Sequence, residues 1–245
     1  MTLREIRTVL RRLADPVRAA GALRFFKTGP GEYGEGDQFL GVTVPGTRSL
    51  LPQSDVLREA EVLSLLHSEW HEERLLALLI LVRRFGKAAQ DEASRDHLVR
   101  LYLAQTEWIN NWDLVDSSAP QILGTWLLRR QRERTVLRRL ARSKNLWEQR
   151  IAILATQALI RDGQFDDTFR LNEYFLTHPH DLMHKACGWM LREVGNRSPA
   201  ALRLFLDQDA ARMPRTMLRY AIEKFPVADR QRYLSLRSES RLLRP

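Results

Sequence analysis

The chain has 245 residues, of which 44% are hydrophobic, so it can bury a sizeable core. Its 39 basic residues outnumber 30 acidic ones, giving a net charge of +9, and 34 of the bases are arginine. A single cysteine, Cys187, excludes a disulfide framework, and the longest apolar run, residues 75–82, is too short to span a membrane. The positive charge favours an acidic polymer as partner, with a genome-wide arginine bias as the alternative explanation.

Amphipathic helices are predicted along most of the chain, because apolar residues recur every three or four positions. The arginine-rich start is interpreted as a first structural helix, since it has an acidic residue and no apolar signal region. Alternating strand patterns are nearly absent, so the predicted fold class is all-α in one domain, residues 1–245. The clearest helical patterns cover residues 3–14, 56–68, 73–85, 145–160 and 181–195.

Glycine is concentrated between the first helices and the rest of the chain. The stretch GPGEYG, Gly29 to Gly34, matches the G-x-G-x-x-G pattern of a dinucleotide cradle. That interpretation is rejected, because a helix and not a strand precedes the glycines and acidic residues surround them. We predict instead a long non-helical loop over residues 28–47, in which glycines adopt left-handed turns. Lys27 and Arg48, at its ends, are candidates for phosphate contact.

Two further segments carry concentrated positive charge. Residues 129–144 contain eight basic residues and one acidic residue. A solvated helix face and a stripe that follows phosphates are both compatible with this pattern. The basic tail, residues 229–245, is compatible with a helix and with a flexible end that contacts the acidic polymer.

A repeat of nearly constant length runs through the chain. Equivalent positions in four helical segments are Arg74, Trp112, Arg150 and Trp189, which are 38, 38 and 39 residues apart. Helix pairs repeating every 40 or so residues are typical of HEAT-like α-solenoids, whose inner helices form one concave surface. We therefore predict a HEAT-like solenoid of antiparallel helix pairs with a basic concave face.

The segment from Thr106 to Ser118 is chemically the most unusual. Trp108, Trp112 and Asp116 follow each other at intervals of four, which on a helix places two indoles and a carboxylate on one face. Tryptophan at helical spacing commonly packs in a core, but a carboxylate on the same stripe needs a partner or a function. This face is the candidate site.

Four stretches together resemble the AlkD-type DNA alkylation repair glycosylases, a family of HEAT-like repeat proteins. They occur in the family's order and extend over most of the chain: residues 25–42 (FFKTGPGEYGEGDQFLGV), 109–124 (INNWDLVDSSAPQILG), 146–154 (LWEQRIAIL) and 185–199 (KACGWMLREVGNRSP). The resemblance implies an enzyme that excises positively charged N3- and N7-alkylated purines from duplex DNA, with no cofactor.

The resemblance also implies roles for particular residues. The family's catalytic aspartate matches Asp116, its two tryptophans beside the lesion match Trp112 and Trp189, and its functional arginine matches Arg150. Arg150 is expected either to hold a phosphate or to orient Asp116. Where some relatives have a tyrosine, this chain has Phe25 and Phe26, so a hydroxyl contact to DNA is not expected there. The candidate DNA contacts are Lys27, Arg48, Arg74, Trp108 and Lys185.

The implied mode of action leaves the damaged base stacked in the duplex. A monomer is expected, located in the cytoplasm and associated with the nucleoid through DNA. The alternative function is a non-catalytic helical scaffold that binds DNA or an acidic protein.

A zinc site at His178, His180 and His184 is disfavoured, because cysteines and a clear carboxylate ligand are missing, and a capped helix start is the better interpretation. Cys187 is expected to be buried and inert.

Overall fold

The computed structural model describes residues 1–236, and these residues form α-helices joined by turns. Within this range the only β pairing is an isolated parallel bridge between Gln38 and Trp70. The all-α prediction is confirmed. The helices are α1 (Leu3–Arg12), α2 (Pro16–Phe25), α3 (Val44–Arg48), α4 (Leu51–Ser54), α5 (Glu59–Leu66), α6 (His71–Lys87), α7 (Glu92–Ala104), α8 (Trp112–Asp116), α9 (Thr125–Leu127), α10 (Thr135–Ala141), α11 (Leu146–Arg161), α12 (Asp166–Tyr174), α13 (Asp181–Arg197), α14 (Pro199–Asp209), α15 (Arg215–Ala221) and α16 (Val227–Ser235).

Three short segments depart from α geometry. Two are 3₁₀ turns, Thr106–Trp108 and Arg132–Arg134, and the third is a π-helical turn, Pro120–Gly124. The helices form two compact units, Met1–Ser118 and the chain from Ala119 onward. Among the described residues, no helix combines the length and apolar character needed to cross a membrane.

The first unit is built around α6. Its apolar residues from Leu75 to Leu81 are all buried, because helices pack around it on several sides. The helices in contact with it are α1, α3, α4, α5, α7 and α8. The unit therefore has one long central helix, and shorter elements take their position from it.

The first turn of α6 connects this helix to two other parts of the unit, α1 and the glycine-rich loop. Glu72 accepts hydrogen bonds from the backbone N–H groups of residues 40, 41 and 42, at 2.7 to 3.2 Å. Glu73 pairs with Arg7 of α1 at 2.9 Å. His71 and Arg74 both reach Asp37 in the glycine-rich loop. Acidic side chains also suit a helix N-terminus, where the macrodipole is positive.

In the second unit, α11, α13 and α15 pack side by side in chain order, with α10, α12 and α14 flanking them. The packing within this unit is solenoid-like. It brings backbones close together, because a Cβ atom added at Gly188 of α13 would meet the carbonyl oxygen of Met217 and the Cβ of Tyr220 on α15. Only glycine permits that separation of the two helices.

The glycine-rich loop runs from the end of α2 at Phe25 to the start of α3 at Val44. Gly31, Gly36 and Gly41 have φ values of 76°, 83° and 79°, which confirms the predicted left-handed turns. The predicted loop ended four residues too late, since Val44 already begins a helix capped by Thr43.

The beginning of the basic tail is part of α16, which ends at Ser235. Arg230 and Arg232 therefore lie on this helix. The remaining bases of the predicted tail, Arg237, Arg241 and Arg244, lie outside the described residues.

Candidate active site

Trp112 and Asp116 are the first and last residues of α8, four positions apart, and both are partly exposed. Their predicted helical spacing is therefore present. Trp108 does not belong to this helix. It ends a 3₁₀ turn and stacks on His67 with ring centroids 4.7 Å apart, so the expectation of three residues on one helix face is wrong for Trp108. The helix cannot extend that far back, because Asn111 caps it in an extended conformation.

The N-terminus of α8 is fixed by Asn111, which is completely buried. Its side-chain oxygen accepts a hydrogen bond from the N–H of Trp112 at 2.9 Å. Its Nδ2 donates to Asp37 Oδ2 at 3.1 Å. One side chain thus caps the helix and ties it to the glycine-rich loop.

His71 provides a second tie to α8. Its Nε2 lies 2.8 Å from Asp113 Oδ2, and its Nδ1 lies 3.2 Å from Asp37 Oδ2. Burial alone lowers the pKa of His71, but the charge and hydrogen bond of Asp113, together with Asp37, raise it to about 9. His71 is therefore an imidazolium at neutral pH, with a carboxylate at each nitrogen.

Asp37 is the acceptor that these side chains share. Besides His71 and Asn111, it accepts from Arg74 Nη2 at 2.5 Å. Burial raises the pKa of Asp37, but its hydrogen bond to His71 and the charge of Arg74 outweigh this effect and lower the pKa overall. The carboxylate is thus ionised and satisfied in a buried position.

The C-terminal end of α8 rests on Tyr102 of α7. The Tyr102 hydroxyl lies 3.0 Å from Ser118 Oγ, and Ser118 donates to the carbonyl oxygen of Leu114 at 2.6 Å. Burial raises the pKa of Tyr102, so this phenol stays protonated. The five-residue helix is consequently fixed at both ends, which its own hydrogen bonds could not achieve.

An aromatic cluster supports Trp112 from one side. Phe26 stacks on the indole at 5.4 Å, and Phe25 meets it edge-on at 5.8 Å. Phe26 also contacts Phe39 and His71, with centroids 4.9 and 5.0 Å away. Phe25 is 64% exposed, so the cluster continues to the surface. Trp112 therefore has a fixed ring orientation and an exposed aromatic neighbour.

Two predicted site residues belong to the second unit. Arg150 of α11 is only 5% exposed, and its Nη1 donates to the carbonyl oxygen of Leu182 at 2.8 Å. Trp189 of α13 is partly exposed, and its indole N–H donates to Glu193 Oε1 at 2.9 Å. Trp112 and Asp116 belong to the first unit, and the convergence of all four residues stays a prediction.

The predicted DNA contacts differ in exposure. Lys27 and Arg48 are exposed at the two ends of the loop segment, although Lys27 lies 3.9 Å from Glu32. Lys185 is partly exposed and pairs with Asp181 at 2.8 Å. Arg74 is only 4% exposed, and it donates to Asp37 and to the carbonyl oxygens of Ser68 and Glu69. This burial contradicts the expected DNA contact by Arg74 and gives it a structural role.

Sequence reasoning missed the polar network beneath α8, which consists of Asp37, His71, Asn111 and Asp113. In the sequence, Asp37 is one acidic residue among several in the glycine-rich loop, and His71 belongs to no complete motif. One signal was available, since the run HEER begins a helix whose following residues are almost all apolar. Four polar residues at the start of a buried helix need partners, and each of the four has a partner 30 or more residues away in the sequence.

The histidines of residues 178–184 form a local hydrogen-bond network. His180 caps α13 by accepting from the N–H of Leu182 at 3.1 Å, and His184 Nε2 lies 2.5 Å from the carbonyl oxygen of His178. The preferred interpretation of a capped helix start is confirmed. Residues 1–236 contain no group of three His, Cys, Asp or Glu side chains arranged for a metal ion. Cys187 is buried as expected, and burial raises the pKa of its thiol.

The described part of the protein is all-helical, and its short helix α8 presents the indole of Trp112 and the carboxylate of Asp116 on one fixed turn. Residues 6–225 match the family described as "DNA alkylation repair enzyme". The match covers most of the chain, and the protein therefore belongs to the DNA alkylation repair enzyme family.

A solved structure has a similar fold. It is titled "Predicted DNA alkylation repair enzyme from Enterococcus faecalis", and the similarity has a TM-score of 0.69 at 17% sequence identity. The alignment covers 87% of this chain and 97% of that one. At this identity the likeness concerns the fold. A comparison with curated proteins gives no match.

Proposed function

We propose that the protein is a DNA glycosylase of the AlkD type, built from HEAT-like repeats, that removes positively charged alkylpurines from duplex DNA. The observation that carries the proposal is the presentation of Trp112 and Asp116 on α8, a short helix fixed at both ends, in a chain of the DNA alkylation repair family. Its substrates are N3-alkyladenine and N7-alkylguanine, and it needs no cofactor.

One carboxylate is sufficient for this reaction. Alkylation at N3 or N7 makes the base cationic, so it leaves as a neutral purine without a general acid, unlike an ordinary sugar leaving group. Positive charge develops on the deoxyribose as the N-glycosidic bond lengthens. Asp116 stabilises this charge and orients the attacking water, an effect of several kcal/mol at most by comparison with other preorganised sites, where about 3 to 4 kcal/mol is usual.

The tryptophans contribute through their ring faces. The indole of Trp112, supported by Phe26, packs against the sugar and attracts the cationic nucleotide. We assign the second such contact to Trp189. Because the ring of Trp112 is held on one side by other aromatic side chains, little conformational entropy is lost when the nucleotide binds.

Arg150 is assigned the role of orienting Asp116 and not that of holding a phosphate. Its burial and its hydrogen bond to the carbonyl oxygen of Leu182 leave little of the guanidinium accessible to DNA. Phosphate contact is assigned to exposed or partly exposed basic side chains, with Lys27, Arg48 and Lys185 as the candidates. Trp108 is kept as a contact to the DNA backbone.

The proposed mode of action keeps the lesion stacked and approaches it from the backbone. Selectivity then depends on how readily the glycosidic bond breaks, so bulky alkyl groups are tolerated while neutral bases are rejected. The enzyme acts as a monomer on chromosomal DNA, in the cytoplasm and in association with the nucleoid. Excision leaves an abasic site, which makes the reaction the first step of base excision repair.

The product of the reaction tests the proposal. Methylated duplex DNA is incubated with the purified protein, and the released material is separated by chromatography. A glycosylase yields free N7-methylguanine and N3-methyladenine and leaves abasic sites. Restored guanine within intact DNA would indicate direct reversal of the damage instead. Bound DNA without any released base would favour the alternative, a non-catalytic helical scaffold.

A further inference from the structure

A line of three charged side chains, two of them buried and the third partly exposed, lies directly beneath the candidate site. It consists of Asp37 in the glycine-rich loop, His71 at the start of α6, and Asp113 in α8. We propose that His71 is a positioning residue, whose imidazolium holds α8 so that Trp112 and Asp116 face the DNA in a fixed orientation. This inference rests on the proposed glycosylase function, but it also has a readout that does not depend on catalysis.

The contacts connect His71 to Trp112 by two separate routes. The first is the 2.8 Å hydrogen bond to Asp113, the residue that follows Trp112. The second passes through Phe26, whose ring lies 5.0 Å from His71 and stacks on Trp112 at 5.4 Å. A shift of the imidazole therefore moves both the backbone of α8 and the ring that supports the indole.

His71 cannot itself exchange a proton with a substrate. Both ring nitrogens are engaged by carboxylates, and the residue is 2% exposed. Phe26 and Phe39 also contact the ring, with Phe39 stacked at 4.6 Å. A general base needs access to the proton that it removes, so His71 acts through the residues around it.

The charges in this network balance only when His71 is protonated. The ionisable groups that face it are Asp37 from the loop, Asp113 from α8, and Arg74 from its own helix. Two cations then meet two carboxylates. Loss of the proton leaves one imidazole N–H between two carboxylates and one negative charge without compensation, and Asp113 Oδ1 is buried with no hydrogen-bond partner in the described structure. Two carboxylates that share a single N–H donor hold the imidazole and α8 less firmly, so α8 is expected to move or loosen.

The first test follows the indole of Trp112 in the wild-type protein, and a variant is needed only to assign its signal. The indole N–H signal is assigned with Trp112→Phe and its shift is recorded from pH 6 to 10 by NMR, together with the ring protons of His71. The chemical shifts of the Trp112 indole N–H and of the His71 ring protons should change together, with a midpoint near pH 9, because the pKa of His71 is about 9. A Trp112 signal that stays constant while His71 loses its proton would overturn the proposal.

The second test uses the rate of base release from methylated duplex, measured in a single turnover. His71→Gln should slow release about 10-fold or more, by analogy with the losses of about 10- to 100-fold caused by removing hydrogen-bond partners of metal ligands. The dissociation constant for DNA should change less than about 3-fold, because His71 does not touch DNA. The fall in wild-type rate near pH 9 should be missing in the variant.

Matched variants separate positioning from general damage. Asp113→Asn should reproduce the effect of His71→Gln, and the double variant should be no slower than either single variant. His97→Gln is the control, since this exposed histidine pairs with Glu59 away from α8. Equal rates for wild type and a folded His71→Gln would contradict the inference. Wild type without base release would contradict the proposed function, while the NMR test would still decide the role of His71.

Discussion

Two arginines that the sequence predicts as DNA contacts lie in opposite environments in the structure. Arg48 is exposed at the end of α3 and makes no ion pair within residues 1–236. Arg74 lies in the first turn of α6, where Asp37 and two carbonyl oxygens accept its hydrogen bonds. An exposed guanidinium can donate two parallel hydrogen bonds to one phosphate. A buried guanidinium with three acceptors instead stabilises the fold.

Arg48→Ala should therefore weaken DNA binding without affecting stability. We expect the salt dependence of the binding constant to lose about one unit of slope, because roughly one phosphate contact disappears. Fluorescence anisotropy with duplex DNA at several salt concentrations measures this. Arg100→Ala, an exposed arginine of α7 outside the proposed contacts, is the control. Equal slopes for the two variants would remove Arg48 from the interface.

Arg74→Met should lower the stability of the protein and leave its DNA binding nearly unchanged. Removing one partner of a buried ion pair leaves Asp37 uncompensated, and such changes cost about 3 to 5 kcal/mol of unfolding free energy. Urea denaturation followed by circular dichroism measures the loss. Folded Arg74→Met should bind DNA with nearly the wild-type affinity at low temperature. A stable variant with weak DNA binding would restore the original prediction of direct contact.

At the scale of single residues, the sequence was sufficient to find candidate residues, but it did not predict how buried they are or which residues they contact. Trp112 and Asp116 were found because their spacing and the family resemblance both point to them. Arg74 was misassigned because burial depends on which segments pack over a helix. The network of Asp37, His71 and Asp113 joins three segments over 76 residues, and no local pattern encodes such pairings.

The helix that carries Trp112 and Asp116, α8, has five residues and is too short to be stable alone. Its orientation comes from α6, α7 and the glycine-rich loop, through His71, Tyr102 and Asp37. The sequence predicted the long helices well, because apolar periodicity over three or more turns is a strong signal. It did not predict the 3₁₀ turn at Thr106–Trp108 or the π turn at Pro120–Gly124, since segments of three to five residues carry no period.

The stability of the first unit should depend on pH through His71. Its pKa is 6.5 in an ordinary environment and about 9 in the fold, so folding favours the protonated form. The stabilisation is complete below pH 6.5 and is lost as the pH rises through 9. The loss is on the order of 3 kcal/mol, at about 1.4 kcal/mol per pKa unit.

Urea denaturation of wild type and His71→Gln from pH 6 to 9.5 measures this dependence, and the difference between the two proteins isolates His71. Burial lowers the pKa of His178 and His180, so their contribution changes on the acidic side of this window. The free energy of unfolding of the variant should be nearly flat between pH 7 and 9. Parallel pH profiles for both proteins would show that His71 is not the titrating group.

In the second unit, the packing of α13 against α15 should depend on Gly188. An added methyl group meets the backbone of Met217, so Gly188→Ala should destabilise the protein by about 1 to 3 kcal/mol, as overpacking generally does. Gly86→Ala is the control, because a Cβ there meets nothing within 4 Å. In that helical position alanine should be neutral or stabilise by up to about 1 kcal/mol. Thermal unfolding compares the two, and equal melting temperatures would contradict the close packing.

For the molecule as a whole, the net charge of +9 and the membership of a DNA alkylation repair family both indicate DNA as the partner. Charge explains attraction to any duplex, so in our proposal selectivity comes from the few residues assigned to the glycosidic bond. The class of the fold was predictable from periodicity and the family from several short stretches. The division into two compact units was not, because it depends on contacts between distant segments.

The most direct test of the central claim compares wild type with Asp116→Asn on a duplex that contains a single N7-methylguanine. Both the release of free base and the binding of the duplex are measured in the same samples, with Glu107→Gln as an exposed, charge-matched control. Wild type and Glu107→Gln should release N7-methylguanine at similar rates. Asp116→Asn should bind the duplex normally but release the base about 100-fold more slowly or worse. Release by Asp116→Asn at the wild-type rate, or a wild type that binds and releases nothing, would contradict the proposed function.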